Sequence, residues 1–122
     1  MLRNLFVSAW QHDLWTALTA STDRDLAAIA EKSLKEARYH REHASDWTIR
    51  LGDGTPESHG RMQSALEVLW PYTREFFEPD AVDSAVARQG LGPEAGSLEA
   101  GWASYVRGVL DEAMLSAPDA TP

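Results

Sequence analysis

The chain has 122 residues, 43% of them hydrophobic and 25% charged, with a net charge of −8 and no cysteine. This is the composition of one globular domain with a real core, and it excludes disulfides, thiolate zinc sites and thiol catalysis. The acidic balance argues against nucleic acid and anionic membrane surfaces, because phosphate neutralisation needs clustered Lys and Arg; no apolar run approaches the ~20 residues of a membrane span, and Asp13 comes too early for a secretory leader, so the expected setting is cytoplasmic.

Residues 2–20 read as a helix. Leu2, Phe6, Ala9 and Trp10 share a face, while Val7, Leu14, Trp15 and Leu18 spread around the rest, so this helix needs neighbours on several sides. The segment STDRD (21–25) breaks it, with Ser21 or Thr22 available to cap the next helix. That long helix is expected over 24–51, with Leu26, Ile29, Ala30, Ser33, Leu34, Ala37, His40, Ala44, Trp47 and Leu51 as its inward stripe. Glu31, Lys35, Arg38, Glu42 and Asp46 fall opposite, and Gly52 closes the helix in a left-handed conformation. Thr55 then caps a third helix, with Pro56 at its first position and Glu57 in the positive first turn. That helix runs over 56–77 on Met62, Leu66, Leu69, Thr73, Phe76 and Phe77, bent at Pro71. A short helix over 78–89 and a loop over 90–97 lead to a last helix over 97–115, with Leu98, Trp102, Tyr105, Val106, Val109 and Leu110 inward. No alternating strand pattern or internal repeat interrupts the series. The class is all-α and bundle-like, one domain over 1–117 with a disordered tail at 118–122.

The stretch KEARYHREHASDW (35–47) packs Glu36, His40 and His43 into two helical turns, which makes them the candidate metal ligands. A di-iron carboxylate bundle takes Glu-x-x-His from each of two helices and one Glu from each of two others, because those side chains must converge on one metal pair. Here the residue three after Glu36 is Tyr39, three before His40 is Ala37, three before His12 is Ala9 and three before His59 is Pro56. No Glu-x-x-His exists, so the stretch reads as a buried or half-buried Glu36–His40 pair, and no catalytic, cofactor-binding or metal residue is assigned. Asp13, on the Leu2–Phe6–Trp10 face, reads as an exposed margin residue, or else as a ligand or base. GDG (52–54) is a helix–helix turn and not a phosphate cradle; Lys32, Lys35, Arg38 and Arg41 form a solvated face; His59 is exposed.

The segments LAAIAEKSLKEARYHREHASDWTIRLGDGT (26–55) and RMQSALEVLWPYTREFFEPDAVD (61–83) resemble the C-subunit family of the bacterial phenylacetyl-CoA 1,2-epoxidase, the multicomponent monooxygenase of aerobic phenylacetate degradation. The resemblance implies a partial ferritin-like bundle matching the C-terminal half of the longer family proteins. It also implies a division of labour. The catalytic A subunit holds the di-iron centre and binds phenylacetyl-CoA, while the C subunit is a structural partner with no cofactor of its own. The alternative is a stand-alone ferritin-like metal or redox protein whose site forms across a homodimer, with Glu36 and His40 supplied twice. Large apolar residues on every side of the first helix imply self-association or a partner subunit in either case.

Overall fold

The computed structural model describes residues 1–78, 85 and 87–118. The chain forms α1 (Leu2–Leu18), α2 (Arg24–Gly52) and α3 (Pro56–Leu69), a 3-10 segment at Trp70–Phe77, a 3-10 turn at Ala95–Leu98, and α4 (Glu99–Glu112). No strand occurs among the described residues, and the all-α class holds, consistent with a ferritin-like helical bundle. No helix among them is long and apolar enough to cross a membrane.

α1 and α2 form an antiparallel hairpin. Its tight connection is organised by Asp23, whose side chain accepts from the amides of Asp25 (3.0 Å) and Leu26 (3.1 Å). The expected caps, Ser21 and Thr22, do other work: Ser21 donates to the Leu91 carbonyl (2.6 Å), and the Thr22 amide donates to Gly90 (3.1 Å). Asp23 wins because its carboxylate reaches two orphan amides and carries the charge the helix N-terminus favours. Along α2, Ala30, Ala37 and Ala44 are buried at seven-residue spacing, and their small side chains let α1 lie close.

Thr55 caps α3 as expected, accepting from the Ser58 amide at 3.1 Å, with Pro56 in the first turn. Two other expectations are corrected. The helix over 56–77 does not continue bent through Pro71; the α-helix stops at Leu69 and the chain tightens to 3-10 geometry, since Pro71 has no amide to donate and crowds the preceding turn. Gly52 is not left-handed: it lies inside α2, and Asp53 follows with φ −95°. Glycine is required there by close approach, since a Cβ would collide with the Ala113 carbonyl oxygen and come within 2.8 Å of the Ala113 Cβ. The short helix expected over 78–89 lies mostly outside the described residues, as does the tail at 119–122.

The core is aromatic. Phe6 of α1 sits 5.9 Å from Trp70 and 5.8 Å from Trp102, and Trp102 packs 5.4 Å from Phe77. The Trp102 indole donates to the Phe6 carbonyl at 3.0 Å, which ties α4 to α1 through a buried bond. Trp10 stacks on Phe76 at 5.4 Å and 15°. Leu2, Leu5, Leu66, Val106 and Leu110 fill the space around these rings.

Candidate functional site

Glu36, His40 and His43 do not converge. All three are exposed, and none hydrogen-bonds another among the described residues, so the expected buried Glu36–His40 pair is overturned. The reason is the arc of α2 that α1 covers: it centres on Ala37 and Ala44, and leaves Ile29, His40 and Trp47 outside although they were expected inward. His43 is instead sandwiched along the helix surface, stacked on Tyr39 (6.2 Å, 15°) and edge-on to Trp47 (6.5 Å). His40 and His43 line a groove of about 260 Å³ beside Asn4 and Gln11 of α1. Among the described residues, no group of three or more His, Cys, Asp or Glu is placed to hold a metal ion. This donor set does not fit a di-iron centre, which needs converging carboxylates from several helices.

The polar residues that the fold does bring together lie elsewhere. His12 and Asp13 of α1, Arg41 and Ser45 of α2, and Tyr105 of α4 meet where the three helices cross. Asp13 is half-buried and not the exposed margin residue expected, and Arg41 is half-buried and not part of a solvated face. An Arg41 Nη1 atom donates to His12 Nδ1 at 3.1 Å, and its guanidinium lies over the Tyr105 ring at 4.2 Å. The same His12 nitrogen is 3.2 Å from Asp13 Oδ1. Arginine only donates and a carboxylate only accepts, so Nδ1 serves one partner at a time: it accepts from Arg41 as the Nε2–H tautomer, or carries the proton and donates to Asp13.

The order of donors in the rest of the cluster is fixed by counting hydrogens. Ser45 Oγ donates its one hydrogen to the Arg41 carbonyl (2.6 Å), so the 2.7 Å contact with Tyr105 is made by the phenol donating to Ser45. The Ser45 hydroxyl thus has no base to activate it, and the cluster is not a nucleophile–base relay. It is a three-helix polar lock that sets the register of α1, α2 and α4. Arg41 Nε, buried without a hydrogen-bond partner among the described residues, is the weak point of that lock.

The residues missed by sequence reasoning are Arg41, Ser45 and Tyr105, and the only available signal was that Arg41 falls nearer the alanine stripe than its charged neighbours. His59 was also misplaced. It is half-buried, and its Nδ1 donates to the Gly52 carbonyl at 2.9 Å, closing one of the orphan acceptors at the end of α2.

The fold and its sites thus define an all-α helical protein whose polar residues lock helices together and whose His-rich stretch faces outward. Over residues 1–122 the chain matches the family described as Phenylacetic acid catabolic protein, and it belongs to that family. It is similar to the C subunit of the 1,2-phenylacetyl-CoA epoxidase of Escherichia coli (strain K12), with 40% identity over 116 residues, covering 95% of this chain and 47% of the relative. The chain spans about half the length of the curated relative it matches.

Proposed function

We propose that this chain serves as a C-type, non-catalytic subunit of a 1,2-phenylacetyl-CoA epoxidase in phenylacetate breakdown, supporting in the cytoplasm a catalytic A subunit that holds the di-iron centre. The observation that carries this reading is the 40% identity to the C subunit of that enzyme over nearly the whole of this chain. Two features of the residues support it. The sequence contains no Glu-x-x-His, and Glu36, His40 and His43 face outward without converging on a common point. The three-helix lock gives the chain a rigid body to present to a partner without giving it a reacting group.

The test is co-expression with the catalytic subunit of the same enzyme, with a tag on this chain only. Co-elution of the two subunits, with iron following the catalytic one, is the expected result. Iron analysis of this chain alone, grown in iron-rich medium, should find well under one iron per chain. A di-iron absorbance band in the chain alone, abolished by Glu36→Ala, would reverse the assignment.

A further inference from the structure

His12 Nδ1 stands between a cation and an anion. Arg41 Nη1 of α2 lies 3.1 Å from it, and Asp13 Oδ1 of α1 lies 3.2 Å from it. The ring is largely sheltered, with the His12 side chain 15% exposed and that of Asp13 24%. One ring nitrogen cannot serve both neighbours. Without a proton it accepts from Arg41 and turns a lone pair toward the carboxylate. With a proton it donates to Asp13 and meets Arg41 as cation to cation. Each state satisfies one partner and frustrates the other, so the proton on His12 decides which helix the ring holds.

Arg41 has little else to turn to. Every other Lys, Arg, Asp and Glu of α2 is exposed, and Arg41 alone is half-buried. Its side chain's one hydrogen bond among the described residues runs from Nη1 to His12, and its Nε is buried with no hydrogen-bond partner among them. Its other contact is the Tyr105 ring of α4, 4.2 Å from the guanidinium. Asp13 also borders α4, since a Cβ placed on Gly101 would stand 3.8 Å from its Oδ2. The groups that face His12 are therefore Asp13 on its own helix, Arg41 from α2 and, behind Arg41, the Tyr105 phenol of α4. The charged residues of α3 and α4 are exposed, the turn Ala95–Leu98 carries none, and His12 makes no other ion pair among the described residues.

We propose that His12 is a proton-operated latch between α1 and α2: neutral, it holds Arg41 and closes the three-helix lock; protonated, it turns to Asp13 on its own helix and releases Arg41. Imidazole is the side chain whose charge changes between about pH 5 and 8, so the latch opens on mild acidification. Only the α1 side opens. The 2.7 Å Ser45–Tyr105 bond and the Arg41 guanidinium on the Tyr105 ring join α2 to α4 without His12. Acid thus loosens α1 against a pair of helices that stay together. This inference does not rest on the epoxidase reading.

The test follows the ring and guanidinium nitrogens of the full chain by ¹⁵N NMR from about pH 8 to about pH 5, the range in which imidazole changes charge. The His12 signals are assigned through their bonds to the backbone. The neutral ring should be the Nε2–H tautomer, and the Arg41 guanidinium nitrogens should shift with the same midpoint as the ring. In His12→Gln, whose amide oxygen accepts from Arg41 without titrating, the Arg41 signals should stay flat. Amide exchange in α1 beyond His12, corrected for its intrinsic pH dependence, should quicken about fivefold across the midpoint, the worth of one such hydrogen bond. Amides around Tyr105 in α4 should not follow. Arg41 nitrogens that ignore the His12 titration would overturn the proposal. So would an Nδ1–H tautomer in the neutral ring, because that state cannot accept from Arg41. Equal quickening in α1 and α4 would overturn it as well, since it marks a general loosening in acid. These readings come from the unmodified chain, so they decide the matter even where His12→Gln folds poorly.

Discussion

Gly52 and Gly60 both lie inside helices, and their surroundings predict opposite effects of the same substitution. A Cβ at Gly52 meets the backbone of Ala113, which cannot swing aside, whereas a Cβ at Gly60 meets nothing within 4 Å. Gly52→Ala should cost about 1–3 kcal/mol, as an overpacked core does. Gly60→Ala should gain about 0.5–1 kcal/mol by restricting the unfolded chain at a helical position. Urea melts of the two variants check both signs. The Ser45–Tyr105 bond links α2 to α4, so Tyr105→Phe should cost about 0.5–1.5 kcal/mol. In a double-mutant cycle Ser45→Ala and Tyr105→Phe should couple, their joint cost falling short of the sum by about 1 kcal/mol; strict additivity in thermal melts would remove the bond from the lock. At this scale the sequence was half legible. The want of a Glu-x-x-His could be read without a structure, because a motif is a matter of spacing. That Arg41 turns inward to His12 while Lys35 and Arg38 stay in water could not, because it depends on where α4 brings Tyr105, a contact 64 positions along the chain from Arg41.

Helix positions were read closely: α1, α2 and the start of α3 fall within a residue or two of the boundaries expected from periodicity, caps and Pro56. Which arc of α2 is covered was not. Periodicity placed Ile29, His40 and Trp47 in one inward stripe with Ala30, Ala37 and Ala44, but α1 covers the alanine side, where small side chains allow close approach, and α4 meets α2 at Arg41 and Ser45, on the side away from Ile29, His40 and Trp47. Asp23, passed over for Ser21 and Thr22, makes both cap bonds, so Asp23→Ala should destabilise by about 1 kcal/mol. Thr22→Ala, whose side chain only reaches carbonyls of the 89–90 turn, should change the melt by less than half of that. α2 has 29 residues and α1 has 17, so α2 outruns its partner. Residues 24–36 of α2 bury only Ala30, while 44–52 bury Ala44, Ser45, Thr48 and Gly52. Hydrogen exchange should therefore be faster in 24–36 than in 44–52, since local opening follows local burial. α1 should be protected by the same argument, since its Leu2, Leu5, Phe6 and Ala9 all lie in the core.

One cluster joins the three long helices, the 3-10 segment and α4, and Phe6 is at its centre. Its ring, 3% exposed, touches Trp70 of the 3-10 segment and Trp102 of α4, and those rings are themselves 5.8 Å apart. Removing it in Phe6→Ala leaves a cavity that two rigid aromatic neighbours cannot collapse into, so the loss should reach about 3–5 kcal/mol. Against the ~5–15 kcal/mol that holds a domain of this kind, that is a large share. The Trp102 indole keeps its bond in the variant, because its acceptor is the Phe6 backbone carbonyl and not the side chain. The effect measured is therefore packing alone. Val68, 66% exposed on α3, is the control: Val68→Ala should shift stability by no more than about 0.5 kcal/mol. The sharper consequence concerns cooperativity. With α1, the 3-10 segment and α4 sharing one core, helix loss followed by circular dichroism and burial followed by tryptophan fluorescence should coincide in a urea melt, in the parent chain and in Phe6→Ala. Separate transitions would mean that the α1–α2 hairpin and the α3–α4 half fold as distinct units. A Phe6→Ala cost below about 1.5 kcal/mol would mean that the aromatic cluster is looser than these ring distances require.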